Sequence, residues 1–314
     1  MGIDLVTGGG GFIGRHLVGE LVRAGRSVRV LDVVDRPGDG PVCEPLASEA
    51  EWIRGSVLDH GDLARAMTGV ERVFHVAGTA QLWAADAGVF DRVNAEGTRC
   101  ALVAARESGA GMFVHTSSDV VALAAGRDFG AYVRSKAEAE RIVREEGEGI
   151  ARVIVRPSAP IGPGDVNLTP PTKMLRMLLT KPPPAYLDCV LDLVDVRDLA
   201  AGFVRAADEA QDGGDVPVVP LGGHRVRFGE LLGLVRALGV DGLPKRRIPY
   251  GVALCAAAAE TGLSRVTKRE PTASLVGVRL ARALEGASAE GVPEVMELRP
   301  IEETVRETVD WLRG

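Results

Sequence analysis

Apolar and polar positions along the 314-residue chain alternate between two periods. Short apolar runs at 3–6, 27–31, 52–55, 70–77, 112–115 and 150–155 have the length and β-branched content of buried strands. Between them, over 12–22, 59–67, 89–107 and 132–146, apolar residues recur at helical spacing. Alternating strand and helix patterns predict a parallel sheet with helices on both faces. Six strands joined by five crossovers make a doubly wound α/β sheet. Beyond Pro157 the rhythm loosens. Pro160, Gly162, Pro163, Gly164, Pro170 and Pro171 predict one long loop, and residues 181–184 another. Pattern then returns as a helix over 195–208, a strand over 216–219, a helix over 228–238 and a closing amphipathic helix over 301–312.

The first strand runs into Thr7-Gly8-Gly9-Gly10-Gly11-Phe12-Ile13-Gly14, which opens the first helix. Strand, tight glycine turn and helix together aim backbone N–H groups and a positive helix end at a phosphate. Gly8 allows the turn, Gly11 leaves room for a pyrophosphate, and Gly14 lets helix and strand pack closely. A dinucleotide site is expected here, with Phe12 and Ile13 in its wall.

Composition narrows the partners. A net charge of −6 and few aromatic residues (4%) argue against a nucleic-acid surface, which needs basic faces and stacking rings. Cys43, Cys100, Cys189 and Cys255 are widely spaced and form no zinc or disulfide pattern, as expected of reduced thiols in a cytoplasm. The first strand starts almost at once, without a signal-peptide pattern, and the apolar run at 251–259 is too short to span a membrane. A cytoplasmic enzyme with a small-molecule substrate and no membrane partner is expected, and residues 251–259 read as a packed helix.

Asp32 ends the second strand, 18 residues past Gly14. A carboxylate there accepts hydrogen bonds from ribose hydroxyls and repels a 2′-phosphate, which favours NAD over NADP. Arg36 is the opposing signal, since a guanidinium can hold that phosphate. Asp59, after Val57, is placed to reach the adenine edge or to cap a helix. Ala77 and Gly78 end the fourth strand with small residues suited to a cofactor wall.

Tyr132 and Lys136 lie four apart on a predicted helix, so phenol and ammonium share a face. A free tyrosine titrates near pH ~10; a neighbouring Lys⁺ and a positive nicotinamide ring both favour phenolate. The fifth strand ends in Thr116-Ser117-Ser118, which carries hydroxyls to the carboxyl edge of the sheet, where ligands bind in this fold.

With these segments in view, the chain resembles the extended short-chain dehydrogenase/reductases of the NAD-dependent epimerase/dehydratase superfamily. The likeness runs through residues 7–14, Asp32, 73–78, 93–98, 113–118, 132–136 and 156–158, then 194–200 and 300–304. Residues 81–83, 158–163 and 184–186 are similar to a branch of dihydroflavonol-reductase-like and hopanoid-associated epimerase-like proteins. The resemblance implies Ser118, with Ser117 as the alternative, as the hydroxyl that holds the substrate oxygen. It implies Tyr132 as acid/base, Lys136 as its partner, Asn94 as an organiser of the backbone, and Pro157 against the cofactor. A homodimer built on the helices near Asn94 and Tyr132 is also implied, with Ala101, Ala104, Ala105, Ala137 and Ala139 allowing close approach.

Two departures stand out. Only 13 residues separate Ser118 from Tyr132, and Val155-Arg156-Pro157-Ser158 lacks the asparagine that sugar-nucleotide epimerases place there. The expected activity is therefore NAD-dependent interconversion of a secondary alcohol and a ketone on a small organic molecule, with Trp83, Phe129, Pro160 and Tyr186 as substrate-lining candidates. The alternatives are an NAD-retaining sugar epimerase or dehydratase and a cofactor-sensing binding protein. Residues 1–157 form the expected NAD-binding domain, with 187–220 returning to it; 158–186 and 221–314 form the substrate cap.

Overall fold

The computed structural model describes residues 2–35, 49–124, 127–210, 215–287 and 297–314. β1 (Ile3–Thr7) leads to α1 (Phe12–Arg23), β2 (Ser27–Asp32), β3 (Glu51–Arg54), α2 (His60–Met67) and β4 (Val70–His75). A long helical stretch follows: α3 (Gly88–Phe90), a π-helical turn (Asp91–Glu96) and α4 (Gly97–Glu107). β5 (Met112–Thr116), a short α5 (Asp119–Ala124), α6 (Ala131–Glu146) and β6 (Ala151–Pro157) complete this half. The second half comprises β7 (Ala159–Ile161), α7 (Pro170–Thr180), β8 (Ala185–Tyr186), β9 (Val190–Asp195), α8 (Val196–Glu209) and β10 (Val218–Leu221). It closes with β11 (His224–Arg227), α9 (Phe228–Ala237), β12 (Arg246–Arg247), α10 (Tyr250–Thr267), α11 (Leu275–Glu285) and α12 (Ile301–Arg313).

The central sheet has seven parallel strands in the order β3-β2-β1-β4-β5-β6-β10, one more than the six expected from the first half. The strand expected at 216–219 supplies the seventh, beside β6. Period-two alternation divides neighbours between two cores. Leu5, Leu31, Val73 and Phe113 face Leu63 of α2, Leu102 of α4 and Ile142 of α6. Val6, Val30, Phe74 and Val114 face Leu17 and Leu21 of α1 and Leu199 and Phe203 of α8. Each such buried side chain contributes roughly 1.5–3 kcal/mol. The order reverses between β1 and β4, and the crevice above that point is where ligands settle in open α/β sheets.

The rest is more regular than its prolines suggest. β11, β9 and β7 form a small mixed sheet, and α7, α9 and α12 bury Leu175, Leu231, Val235, Val305 and Val309 against it. The long loop expected over 160–171 gives way to β7 and to α7, which starts on Pro170. Proline suits a first helical position, where its missing N–H would have no partner. The run at 251–259 is indeed helical, within α10, yet it is packed on one side only. Ala101, Ala104, Ala105 and Ala139 are covered inside the chain rather than presented to a partner; Ala137 alone of the five alanines is exposed.

Candidate active site

The glycine loop is built as its spacing requires. Gly8 has φ +72°, and a Cβ there would lie 2.7 Å from the Ala77 backbone. A Cβ on Gly14 would lie 2.1 Å from the Gly8 carbonyl oxygen. Gly11 caps α1 without any side-chain acceptor, and the first turn, with Phe12, Ile13 and Gly14, carries no acidic residue. The helix thus offers uncompensated N–H groups and a positive end, which fits a pyrophosphate.

Asp32 stands beside this loop: its carboxylate accepts from Gly10 N at 2.9 Å and from Val34 N at 3.2 Å. The carboxylate is therefore fixed at the strand end and half-buried. Arg36, the opposing signal for NADP, and Cys43 lie outside the described residues. Asp59 is the N-cap of α2, accepting from Asp62 N at 2.8 Å, so capping is the role its geometry displays. Val57 is buried against the α4 side of the sheet.

Behind the loop runs a buried chain of hydrogen bonds. Thr98 Oγ1 donates to Asn94 O at 2.6 Å, so it accepts from His75 Nε2 at 3.1 Å; His75 Nδ1 in turn accepts from Thr7 Oγ1 at 2.9 Å. Burial first, and the Lys136 charge second, push the His75 imidazole down to about 3, which keeps it neutral. Capture of the Asn94 carbonyl by a side chain accompanies the π-helical turn at that point, and such turns mark functional positions. Asn94 Oδ1 accepts from Thr79 N at 2.7 Å, and its Nδ2 donates to Ser135 Oγ at 3.0 Å. His115, stacked on His75, has no hydrogen-bond partner among the described residues.

α6 presents Tyr132, Lys136 and Glu140 on one buried face. Lys136 Nζ donates to Thr116 O at 2.8 Å and lies 3.3 Å from where a Cβ on Gly78 would sit. Burial pushes its ammonium down to about 8, opposed by the Glu140 carboxylate. Glu140 is in turn held by Arg156, at 2.7 and 2.6 Å, and by the Ser117 hydroxyl at 2.5 Å. Ser117 therefore serves this ion pair, while Ser118 acts on the Tyr132 phenol. Burial pushes the Tyr132 phenol up to about 12, relieved by Ser118 and worsened by the Asp119 charge. Ser158 Oγ and Thr116 Oγ1 are buried without partners among the described residues, beside Pro157 and Ser117 respectively.

Asp119 was not singled out by sequence reasoning. It follows Ser118, whose Oγ donates to Asp119 Oδ1 at 3.2 Å, and Asp192 of β9 acts on it electrostatically. Burial and then the Asp192 charge push this carboxyl up to about 7. The only available signal was its position next to the serine pair. Among substrate-lining candidates, Phe129 is buried in one cluster with Tyr132, Phe90 and Leu280, to which Leu82 is joined. Trp83 is half-buried, and Pro160 pairs with Val194 in the small sheet. Tyr186 is not with them: it stacks on Phe228 in the separate α9 cluster.

The sequence model of the NAD dependent epimerase/dehydratase family matches residues 5–222, from β1 through β10. The chain belongs to that family. Two relatives and one solved structure illustrate the likeness. A Synechocystis sp. protein named for dihydroflavonol 4-reductase is 31% identical, over 98% of this chain and 94% of its own. A 3-beta-hydroxysteroid dehydrogenase of Mycolicibacterium neoaurum is 30% identical, over 69% of this chain and 64% of its own. The crystal structure of gox2253 superimposes with a TM-score of 0.79 at 28% identity, covering 100% of this chain and 98% of that one. Membership makes the protein an NAD-dependent enzyme of the dehydrogenase/reductase and epimerase kind. The Gly8–Gly14 cradle and the uncapped α1 fit that cofactor. No helix of the described residues is long and apolar enough to cross a membrane, and no His, Cys, Asp and Glu group among them could hold a metal.

Proposed function

We propose that this family member interconverts a secondary alcohol and a ketone on an apolar molecule, with Ser118, Tyr132 and Lys136 as its catalytic residues. One observation carries the reading. Tyr132 and Lys136 are buried on one face of α6, Lys136 Nζ is anchored on Thr116 O at the carboxyl edge of the sheet, and Ser118 from that edge is near enough to the Tyr132 phenol to lower it. In this reading Gly8, Gly11, Phe12, Ile13 and Gly14 hold the pyrophosphate, and Asp32 the adenosine ribose. Val57, Ala77, Gly78, Ser117 and Pro157 wall the cofactor, with Asp59 near its adenine end. NAD supplies hydride acceptance and donation when bound. The protein moves the proton. Ser118 holds the substrate oxygen, Tyr132 takes or returns its proton, and Lys136, fixed by Thr116 O, keeps a positive charge beside the phenol.

An apolar substrate is favoured by Phe129, Phe90 and Leu82 around Tyr132, and by the steroid named for the Mycolicibacterium relative. We assign residues 1–157 and 187–220 to cofactor binding and the remainder to a substrate cap. The free thiols Cys100, Cys189 and Cys255 support a reducing cytoplasm. A homodimer on α4 and α6 would meet through Val103 and the charged ridge of Arg99, Glu138, Arg141 and Glu146.

The test is Tyr132→Phe, assayed by NADH absorbance over a panel of apolar alcohols and ketones. Removing one positioned acid/base group is expected to lower kcat roughly 10²–10⁴-fold with NAD affinity unchanged. Undiminished turnover in the variant overturns the assignment. Turnover without net redox change would instead mark an epimerase.

A further inference from the structure

α10 carries its apolar surface outward. The helix rests on Ala253, Ala257 and Ser264, which are its buried positions. On the opposite side Val252, Cys255, Ala256, Ala259, Leu263 and Val266 are all exposed, at spacings that align them along one face with no charged residue between them. Val252 is 54% exposed, Leu263 63% and Val266 81%. A surface helix of a soluble domain normally shows the reverse order, with polar residues outward.

The ends of this strip are basic. Lys245, Arg246 and Arg247 precede the helix, and Arg265, Lys268 and Arg269 lie at its end, all exposed. Acids offset part of this charge, at Arg247 and at Lys268, which acts on Asp86, while Lys245, Arg246, Arg265 and Arg269 make no ion pair among the described residues. Glu260 accepts from the Thr272 and Ala273 N–H groups, Glu270 pairs with Lys173, and Asp188 pairs with Arg247. The positive charge left at both ends contrasts with the chain's net charge of −6.

We propose that α10 docks the protein on an anionic lipid surface, lying in the plane of the interface. Its apolar strip would enter the boundary between headgroups and acyl chains, and its basic ends would meet lipid phosphates. An apolar face flanked by Lys and Arg is the pattern of an interfacial helix, bound jointly by buried area and by charge. A second copy of the chain fits less well. Paired parallel or antiparallel along this strip, two copies would set one basic end against another, and like charges repel. The strip is short of large side chains, so charge must supply much of the attraction and binding is expected to be reversible.

The docking does not rest on the redox reading, but it suits it. α10 packs on α11 through Ala253, Ala257 and Val278, while Val276 and Leu280 of α11 join the cluster around Tyr132 and Phe129. The lipid-facing helix is thus one helix away from the candidate active site, which would let an apolar substrate enter from the bilayer.

Co-sedimentation of the full chain with vesicles tests this. One set is phosphatidylcholine alone, and the other holds equal parts of phosphatidylcholine and phosphatidylglycerol. Binding is expected on the anionic vesicles only, weakening as salt rises. Leu263→Glu with Val266→Glu, and separately Lys268→Glu with Arg269→Glu, are each expected to lower the binding constant about tenfold or more. Both pairs are exposed, so circular dichroism and NAD binding should be unchanged. Absence of binding to anionic vesicles, or binding indifferent to the Leu263/Val266 pair, overturns the proposal. So does self-association abolished by that pair without vesicle binding, which would make a second copy the occupant.

Discussion

Asp119 shows how much one side chain depends on its neighbours' charges. Its carboxyl has an ordinary value of 3.8 and is pushed up to about 7, by burial before anything else and then by Asp192. A raised carboxyl value means that the folded chain disfavours the charged form. That penalty is absent at pH below the ordinary value, where folded and unfolded chains both carry the proton. It grows as pH rises through the window from 3.8 to about 7, and it is constant above. Asp119→Asn keeps the shape and removes the charge. It is expected to raise the thermal midpoint at about pH 8 and to leave it nearly unchanged at about pH 4. An equal shift at both values would mean that the carboxyl's charge is not what destabilises. The same substitution removes a charge that pushes Tyr132 up, so the phenol should titrate lower in the variant.

At the scale of elements, α6 extends the Tyr132–Lys136 spacing by one more turn, to Glu140, and that turn has a consequence. The Glu140 carboxylate opposes the burial that pushes Lys136 down to about 8. With Glu140→Gln the ammonium should fall lower still and lose its charge nearer neutral pH. The alkaline limb of the kcat/KM profile is then expected to move down by roughly one pH unit. Glu140→Asp, which retains the charge, should restore most of the wild-type profile. A profile that both variants leave in place would reduce Glu140 to a structural anchor for Arg156.

The strands, the glycine turn and the Tyr132–Lys136 pair were legible in the sequence because each depends on periodicity or on spacing within one element. The π-helical turn at Asn94 was not, since it accompanies the Thr98 hydroxyl binding a carbonyl four residues back. Nor was the environment of Asp119, which is completed by β9 arriving some seventy residues later. Pro170 concealed α7, because proline reads as a loop signal and as a helix start alike. The apolar run in α10 looked like core from its composition, yet which side of a helix is covered depends on what packs there.

Across the whole molecule, α8 belongs to both halves. Its Leu199, Ala200 and Phe203 complete the core shared by α1, β1 and β4. Its N-cap, Asp195, ends β9 and accepts from Thr304 Oγ1 of α12 at 2.9 Å. Asp198, one turn on, accepts from Arg299 N at 2.7 Å just before α12. The closing helix is thus fastened to the element on which the central sheet rests. A cap joined this way should not unfold on its own, and calorimetry is expected to show one transition. Thr304 is fully buried, so Thr304→Val removes one of the two donors to Asp195 Oδ2, the other being Arg197 Nη2, at a cost of roughly 1–2 kcal/mol. The single transition should then fall by a few degrees. It should stay single, because the lost bond lies at a joint rather than within one half. Two resolved transitions, only one of them moved by Thr304→Val, would show that the halves unfold separately and that α8 does not couple them.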